Sequence, residues 1–465
     1  MGRVNHHLGV ALNAVEEVVS RMRTSGDATA LVWRDSEVSY SALLRKVETW
    51  ESAFRGIGIG PGTVCAVVSD YSPETIALFF ALMRQRSIVV PLLRDAPEPV
   101  DRFLDLASAE VVIRIDDQDH WTTESRQPGA PNALLATFRE VRSPGLIVFT
   151  SGSTGAPKGI LHDADRVVRK FLVQRKGWRM VLFLMIDHFG GINSLLATLA
   201  NGGTGVCIPN RTPDTVCALI EKTRATLLPT TPTFLNLLVA SGSHRRADLS
   251  SIQLITYGTE MMTESTLKRV RTAFPSADLK QTYGLSELGV LRSTSESTDS
   301  TWVRIGGDGF EVRVLDDILW IRSEANMVGY LNAPNPFDDQ GWMSTGDKVE
   351  VRGDYYRILG RESELIFVGG EKVYPAEIET ILQEDPNVHE ATVFGVKNPL
   401  MGNVPHAKLS LHEPEEMAAL TVRLRRLCLS RLARFKVPVR FTVVPNEELR
   451  SIRFKKRRAS AGDAQ

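Results

Sequence analysis

Cysteine is scarce in this chain. Its 465 residues include four, Cys65, Cys207, Cys217 and Cys428, with no Cys-x-x-Cys spacing. Neither a disulfide framework nor a zinc site is indicated, and a reducing compartment is expected. Net charge is missing too: 55 Lys and Arg balance 55 Asp and Glu, which removes the overall electrostatic signature of a nucleic-acid or membrane-surface binder. No run reaches the ~18 unbroken apolar residues of a membrane span. The first residues, with His6 and His7, lack an apolar signal core, and position 6 lacks the Ser or Thr of a myristoylation pattern. The expectation is a cytoplasmic protein with no nucleic-acid partner and no membrane span. Apolar residues make up 43% of the chain, enough for a large core, and the length suggests roughly three units of ~150 residues.

One stretch organises the rest. Residues 146–149 (Leu-Ile-Val-Phe) fit a buried strand, which then breaks into Thr150, Ser151, Gly152, Ser153, Thr154, Gly155, Ala156, Pro157, Lys158 and Gly159. A segment with so little side-chain bulk can close its backbone N–H groups and hydroxyls around an anion, with Lys158 adding a positive charge. It is a phosphate cradle by composition. It is not the common P-loop, which needs Gly-Lys-Ser/Thr opening a helix, and it lacks the spaced glycines of a dinucleotide fingerprint. The blander alternative is a Gly/Ser turn between two strands. The run 56–62, also glycine-rich, precedes a strand instead of following one and reads as a helix-ending turn.

Around this stretch, strand-like segments at 64–68, 88–91, 111–113, 180–185, 205–208, 225–228, 254–257 and 279–281, most of them apolar, alternate with helical spacing. Such alternation predicts βαβ crossovers and mainly parallel, buried sheet. Residues 116–143 are polar and interrupted by proline, and are expected to form a loop or short insertion. From 301 the texture changes to short strands and turns, a smaller β-rich unit. Beyond about 360 come a helix from Pro375, a strand at 391–396, a helix at 415–433 and a strand at 440–444, an α+β unit of roughly ordinary domain size. Its last part is basic: from 421 to 458 stand 13 Lys and Arg against Glu447 and Glu448, a net +11. That is either a solvated face or a surface for a phosphate-bearing or acidic partner.

Four further stretches carry candidate chemistry. In Tyr283-Gly284-Leu285-Ser286-Glu287 the ring can stack on a purine, Gly284 allows close backbone approach, and Glu287 suits a hard cation such as Mg2+. Asp347, after Ser344-Thr345-Gly346, can accept both hydroxyls of a ribose. The stretch from Gly360 to Glu379, with Gly369, Gly370 and the basic Arg361, has the composition of a hinge beside a polyphosphate. Ser451-Ile452-Arg453-Phe454-Lys455 puts a lysine close to the end of the sequence.

Together these stretches resemble the adenylate-forming superfamily of acyl- and aryl-CoA synthetases, peptide-synthetase adenylation domains and luciferases. The likeness runs from about residue 28 onward and is most specific at 149–159. It implies an α/β fold with a large N-terminal domain, 1–360, of mainly parallel helix-flanked sheets. That domain would include the β-rich subdomain at about 301–360, followed by a small mobile α+β domain at 361–465. It also implies roles. Thr150, Ser151, Gly152, Ser153, Thr154, Gly155 and Lys158 would hold the β- and γ-phosphates of ATP. Tyr283, with Gly284 and Ser286 beside it, would pack on adenine together with the backbone of Gly258, Thr259 and Glu260. Glu287 would hold Mg2+, Asp347 the ribose, and Arg361 would contact the nucleotide near the hinge. Lys455 would bridge the substrate carboxylate and the α-phosphate as the small domain moves.

The chain departs from the family pattern in places. Phe454 stands where glycine usually precedes the terminal lysine, and Lys456 is the alternative one residue on. Ser363 replaces the usual Asp or Lys of the hinge, and Asp317-Ile318-Leu319 replaces the usual Gly-Glu-Leu. Asp187-His188-Phe189-Gly190-Gly191 resembles the His-containing segment of acyl- and aryl-acid members. His188 would therefore lie beside the carboxylate of an acid without an α-amino group, with Thr230, Thr231, Phe234, Met261 and Met262 as candidate pocket walls. The acceptor would be the pantetheine thiol of coenzyme A or of a phosphopantetheine-bearing acyl-carrier protein acting in trans. Competing expectations are amino-acid activation, a non-catalytic ATP- or AMP-binding regulator, and a luciferase-like oxygenase.

Overall fold

The computed structural model of the chain describes residues 13–95, 99–127, 129, 132–151, 157–307, 309–451 and 454–456. Two compact units result, Met1–Pro209 with Ala325–Asn335 and Asn210–Glu324 with Pro336–Gln465.

Burial along whole strands sets up the first unit. Val64–Val68 and Ile88–Leu92 are buried at every position, as strands covered on both faces must be. They pair in parallel; Val111–Ile115 lies parallel to the first, and β1 (Gly145–Ser151) parallel to the second. The crossover helix Pro73–Arg84 starts where Ser72 accepts the Thr75 N–H and Pro73 takes the first turn, a position that needs no amide donor. The margins of this sheet are antiparallel. β2 (Pro157–Asp163) folds back along β1 and pairs with Gly329–Tyr330, and Trp121–Ser125 pairs with Val111–Ile115. The mainly parallel sheet expected from the sequence is therefore a parallel centre between antiparallel edges.

The expected loop at 116–143 contains regular structure. Trp121–Ser125 is an edge strand exposed throughout, and Ala133–Val141 is a helix whose first amides are capped by Asn132. A second sheet in this unit orders Ser36–Ser39, Thr29–Trp33, Thr204–Val206 and Arg179–Val181. The helix α1 (Phe189–Leu199) stands between its last two strands in sequence.

The second unit opens with the parallel strands Leu227–Thr230, Leu254–Tyr257 and Asp278–Gln281. The helices α2 (Pro232–Ala240) and α3 (Glu264–Ala273) connect them. A six-stranded antiparallel sheet follows, in the order Ser293–Ser295, Val303–Ile305, Tyr355–Arg361, Met343–Arg352, Ile318–Ser323 and Phe310–Leu315. In chain order its long hairpin is β3 (Met343–Arg352) and β4 (Tyr355–Arg361).

The last sheet is built on α4 (Pro375–Leu382), β5 (Val388–Asn398), β6 (Gly402–Leu411) and α5 (Met417–Arg431). β5 and β6 pair antiparallel over ten registered positions, and Arg440–Val443 lies parallel to β6. Ile378, Leu382, Val393, Leu420 and Leu424 are all 0% exposed beneath it, each such burial stabilising by about 1.5–3 kcal/mol.

The basic run looks different once folded. Arg423 pairs with Asp385 and Glu415, Arg431 with Glu384, Lys436 with Glu377, Arg450 with Glu447, and Lys456 with Glu379 and Glu390. All of these acids except Glu447 lie outside the run, and they neutralise much of the apparent +11, so the run is a smaller electrostatic feature than composition implied.

Candidate active site

In the first unit the described ends of the phosphate-cradle sequence lie in the β1–β2 pair: Thr150 registers with Lys158 and Ser151 with Pro157. Gly152, Ser153, Thr154 and Gly155 lie outside the described residues. Among the described residues a strand, Pro157–Asp163, and not a helix N-terminus leads out of the loop. Its affinity for an anion would rest on its own amides, hydroxyls and Lys158. The base of the loop is clamped from 329–332. Asn332 Oδ1 accepts from Gly159 N at 3.1 Å and Asn332 Nδ2 donates to Pro157 O at 2.9 Å, while Lys158 Nζ stands 5.0 Å from the Tyr330 ring centroid. A cation over an aromatic face is held in place at modest strength. Sequence reading assigned neither Tyr330 nor Asn332 to the cradle, because the pairing of Gly329–Tyr330 with β2 is set only by the fold.

His188 precedes α1 in extended backbone, and its Nδ1 accepts from Gly190 N at 3.2 Å. That places the proton of the neutral ring on Nε2. The following glycine is obligatory, since a Cβ on Gly191 would sit 2.0 Å from Met185 O. His188 therefore has the backbone-satisfied geometry of an ordinary capping histidine together with a defined tautomer.

In the second unit three of the expected nucleotide residues meet. Tyr283 hydroxyl donates to Asp347 Oδ2 at 2.5 Å and Arg361 Nε donates to Asp347 Oδ1 at 2.9 Å. Asp347 is 5% exposed, and its backbone N–H reaches Thr345 Oγ1 at 3.0 Å. A carboxylate has about four acceptor positions, so two remain for further donors. Burial and the facing carboxylate push the Tyr283 phenol well above its ordinary pKa, and Asp347 holds the Arg361 guanidinium protonated. The Tyr283 ring packs in an apolar cluster with Leu288, Leu291 and Met343 and is 8% exposed.

Glu287 and Ser286 are half-buried in the tight connection between Gly284–Leu285 and Gly289–Val290. Gly258 is required where it stands, because a Cβ there would meet Thr282 Oγ1 at 2.4 Å. Thr259 follows in the left-handed region at φ +70°. Glu260 does something the sequence did not suggest. Its Oε2 accepts from Thr233 Oγ1 at 2.7 Å and Thr233 N at 3.2 Å, while Oε1 accepts the Lys456 N–H. Burial pushes the Glu260 carboxyl up. Of the suggested pocket walls, Phe234 and Met262 are buried at 0% and 4% exposure, and Thr231 caps α2. Lys455 is half-buried, and its N–H lies 3.3 Å from Ser451 Oγ.

A family model described as AMP-binding enzyme matches residues 18–331, and one described as AMP-binding enzyme C-terminal domain matches 377–453. The chain belongs to the AMP-binding enzyme family. Among curated relatives, the indoleacetate–CoA ligase of Aromatoleum aromaticum is 28% identical, covering 88% of this chain and 90% of the relative. The fatty acid–[acyl-carrier-protein] ligase MmaC of Mycobacterium marinum is 26% identical over 83% and 85%. Among solved structures, the anthranilate CoA ligase AuaEII in complex with anthranoyl-AMP superposes with a TM-score of 0.81 at 20% identity, over 97% of this chain and 96% of that one. This last likeness is one of fold: mixed α/β with a large N-terminal and a smaller C-terminal part. Among the described residues no helix is long and apolar enough to cross a membrane.

Proposed function

We propose that this AMP-binding enzyme is an acid–thiol ligase. It joins a carboxylic acid to the α-phosphorus of ATP with release of pyrophosphate, then passes the acyl group to a pantetheine thiol. The observation that carries the reading is the buried Tyr283–Asp347–Arg361 constellation, in a chain that keeps the family's hydroxyl- and glycine-rich loop. A buried carboxylate, oriented by two donors and still able to accept two more, suits the vicinal hydroxyls of a ribose.

Attack is opposed by charge, since both the acid and the triphosphate are anions. Lys158 and the loop hydroxyls would hold the departing phosphates, and Lys455 would bridge the reacting carboxylate and the α-phosphate, so that positioned positive charge lowers the barrier. A carboxylate oxygen forms the new bond to phosphorus as the bond to pyrophosphate breaks. The thiol then attacks the acyl carbon and AMP leaves with the bonding pair. His188, protonated on Nε2, would donate to the acid's carboxylate.

Glu287, half-buried in the turn after Tyr283, offers one hard oxygen donor of the kind that suits Mg2+. Among the described residues no three His, Cys, Asp or Glu are grouped to hold a metal. The ion would therefore take most ligands from phosphate and water with Glu287 as one carboxylate, which is the habit of Mg2+. When bound it would supply charge neutralisation on the phosphates.

For the acid we propose an aryl or acyl carboxylate without an α-amino group, supported by relatives whose names specify indoleacetate, ferulate and fatty acids. The acceptor is the thiol of coenzyme A or of an acyl-carrier protein; relatives of both kinds exist. We take 361–465 as the part that moves between half-reactions, with Gly360, at φ +142°, beside the pivot. Exchange of labelled pyrophosphate into ATP, dependent on an added acid from an aryl and acyl panel, is the expected activity. No exchange with any acid would favour a non-catalytic nucleotide binder.

A further inference from the structure

Lys455 and Lys456 are chemically alike and adjacent, yet the fold treats them differently. Lys456 Nζ lies 2.9 Å from Glu390 Oε1 and 3.2 Å from both Glu379 Oε2 and Ala391 O. Three acceptors match the three N–H bonds of an ammonium. The Lys456 side chain is 13% exposed, that of Glu379 2% and that of Glu390 5%. A lysine seated this way is part of the framework of α4 and β5.

The remaining carboxylate oxygens are also engaged. Glu379 Oε1 accepts from Val393 N at 2.9 Å and Glu390 Oε2 from Asn236 Nδ2 at 2.8 Å; Gln383 Nε2 donates to Glu390 Oε1 at 2.7 Å. Arg269 Nη2 donates to Asn236 Oδ1 at 2.8 Å and supplies the second positive charge. Glu379 and Glu390 thus face Lys456 and Arg269, as a buried ionic cluster requires, while the Glu260 carboxyl, pushed up by burial, also faces Lys456.

The same short tail is clipped to α2 and its surroundings through its backbone. Phe454 O accepts from Thr231 Oγ1 at 2.8 Å, Lys456 N donates to Glu260, and the Phe454 ring stands edge-on to Phe234 at 5.2 Å. Lys455 lies between these two backbone anchors, and the Lys456 side chain is the bolt that keeps them with α4 and β5.

We propose that Lys456 is a positioning residue: clamped between Glu379 and Glu390, it sets Lys455 for acyl-adenylate formation and has no part in thioester formation. This rests on the acid–thiol ligase reading and assigns the reacting ammonium to Lys455. Misplacing a group by about an ångström costs about a hundredfold in rate, and that is the scale expected for losing the bolt.

The test compares the unsubstituted protein with Lys455→Met, Lys456→Met and Glu390→Gln in two assays. One is acid-dependent exchange of pyrophosphate into ATP; the other is thioester formation from a synthetic acyl-adenylate with coenzyme A or holo carrier protein. Lys456→Met should lower exchange by about a hundredfold while leaving the adenylate-to-thioester rate within a factor of two of the unsubstituted protein. Glu390→Gln, which keeps the shape, should show the same split more weakly, and it carries the test alone if Lys456→Met does not fold. Lys455→Met should lose exchange at least as fully. Exchange surviving in Lys455→Met but not in Lys456→Met, or both half-reactions falling together in Lys456→Met and Glu390→Gln, would overturn the proposal. Absence of exchange in the unsubstituted protein would sink the ligase reading and this proposal with it.

Discussion

Arg361 Nε stands 2.9 Å from Asp347 Oδ1, across the register pair that joins β3 to β4. The residue expected at the hinge and the residue expected at the ribose are thus one ion pair, and the Tyr283 hydroxyl completes it. Asp347→Ala should leave Arg361 and Tyr283 facing an empty position. A stability loss of about 1–3 kcal/mol is expected for the unmet donors. If the carboxylate also holds the ribose, the KM for ATP should rise by about tenfold or more, equivalent to about 1.4 kcal/mol. Urea denaturation and the ATP dependence of exchange measure the two separately. An unchanged KM alongside lowered stability would confine Asp347 to a framework role.

Phe454 has φ +52°, a conformation that costs a side chain roughly 1–2 kcal/mol. Its ring contact with Phe234 and its carbonyl bond to Thr231 hold it there. Phe454→Ala removes the ring and keeps the strain; Phe454→Gly removes both. The glycine variant should therefore exchange pyrophosphate faster than the alanine variant. Equal rates would mean that the backbone conformation does not limit placement of the tail.

Stability should fall on mild acidification, and His389 is a defined contributor. Burial pushes its imidazole down to about 4, against the pull of Glu390 and with smaller help from His412, Arg269 and Arg450. The folded protein thus keeps His389 neutral where the unfolded chain, near 6.5, takes up a proton, so stability is full above that value and is lost as pH falls towards 4. Between pH 7 and pH 5 the linkage amounts to about 2 kcal/mol. Urea melts at both values should show a smaller pH difference for His389→Gln than for the unsubstituted protein. Parallel pH dependence in the two would remove His389 as the cause.

Gly191→Ala would drive a Cβ to within 2.0 Å of Met185 O. The backbone must shift, at a cost of about 1–3 kcal/mol typical of overpacking, and the start of α1 moves with it. Lower thermal stability together with a raised KM for the acid is expected if His188 contacts the carboxylate. A raised melting temperature would contradict the packing seen here.

Much of this molecule was legible as sequence wherever one physical signal dominated. Val64–Val68 and Ile88–Leu92 are buried strands because they are unbroken apolar runs, and Pro213–Thr223 and Pro375–Leu382 begin where a proline opens the first turn. β6 was not foreseen, because Pro405 sits inside it and His406 and Lys408 alternate with its apolar residues. Its amides are satisfied by pairing with β5, a partner that only the fold supplies. Trp121–Ser125 was missed for a similar reason: an exposed edge strand has no apolar face to betray it. At the site, resemblance pointed to Tyr283, Asp347 and Arg361 individually but not to their contact. Glu379 and Glu390 carry no signal of their own in the sequence, and nothing short of tertiary structure could link them to Lys456.

The acyl-adenylate route is tested most directly by following atoms. With an acid carrying heavy oxygen in its carboxylate, ATP and the thiol acceptor, attack on the α-phosphorus leaves one labelled oxygen in AMP when the thioester forms. Mass spectrometry of the nucleotide should find that label in AMP and none in pyrophosphate. Label in inorganic phosphate with ADP as the nucleotide product, or thioester formed with unlabelled AMP, would contradict activation by adenylation.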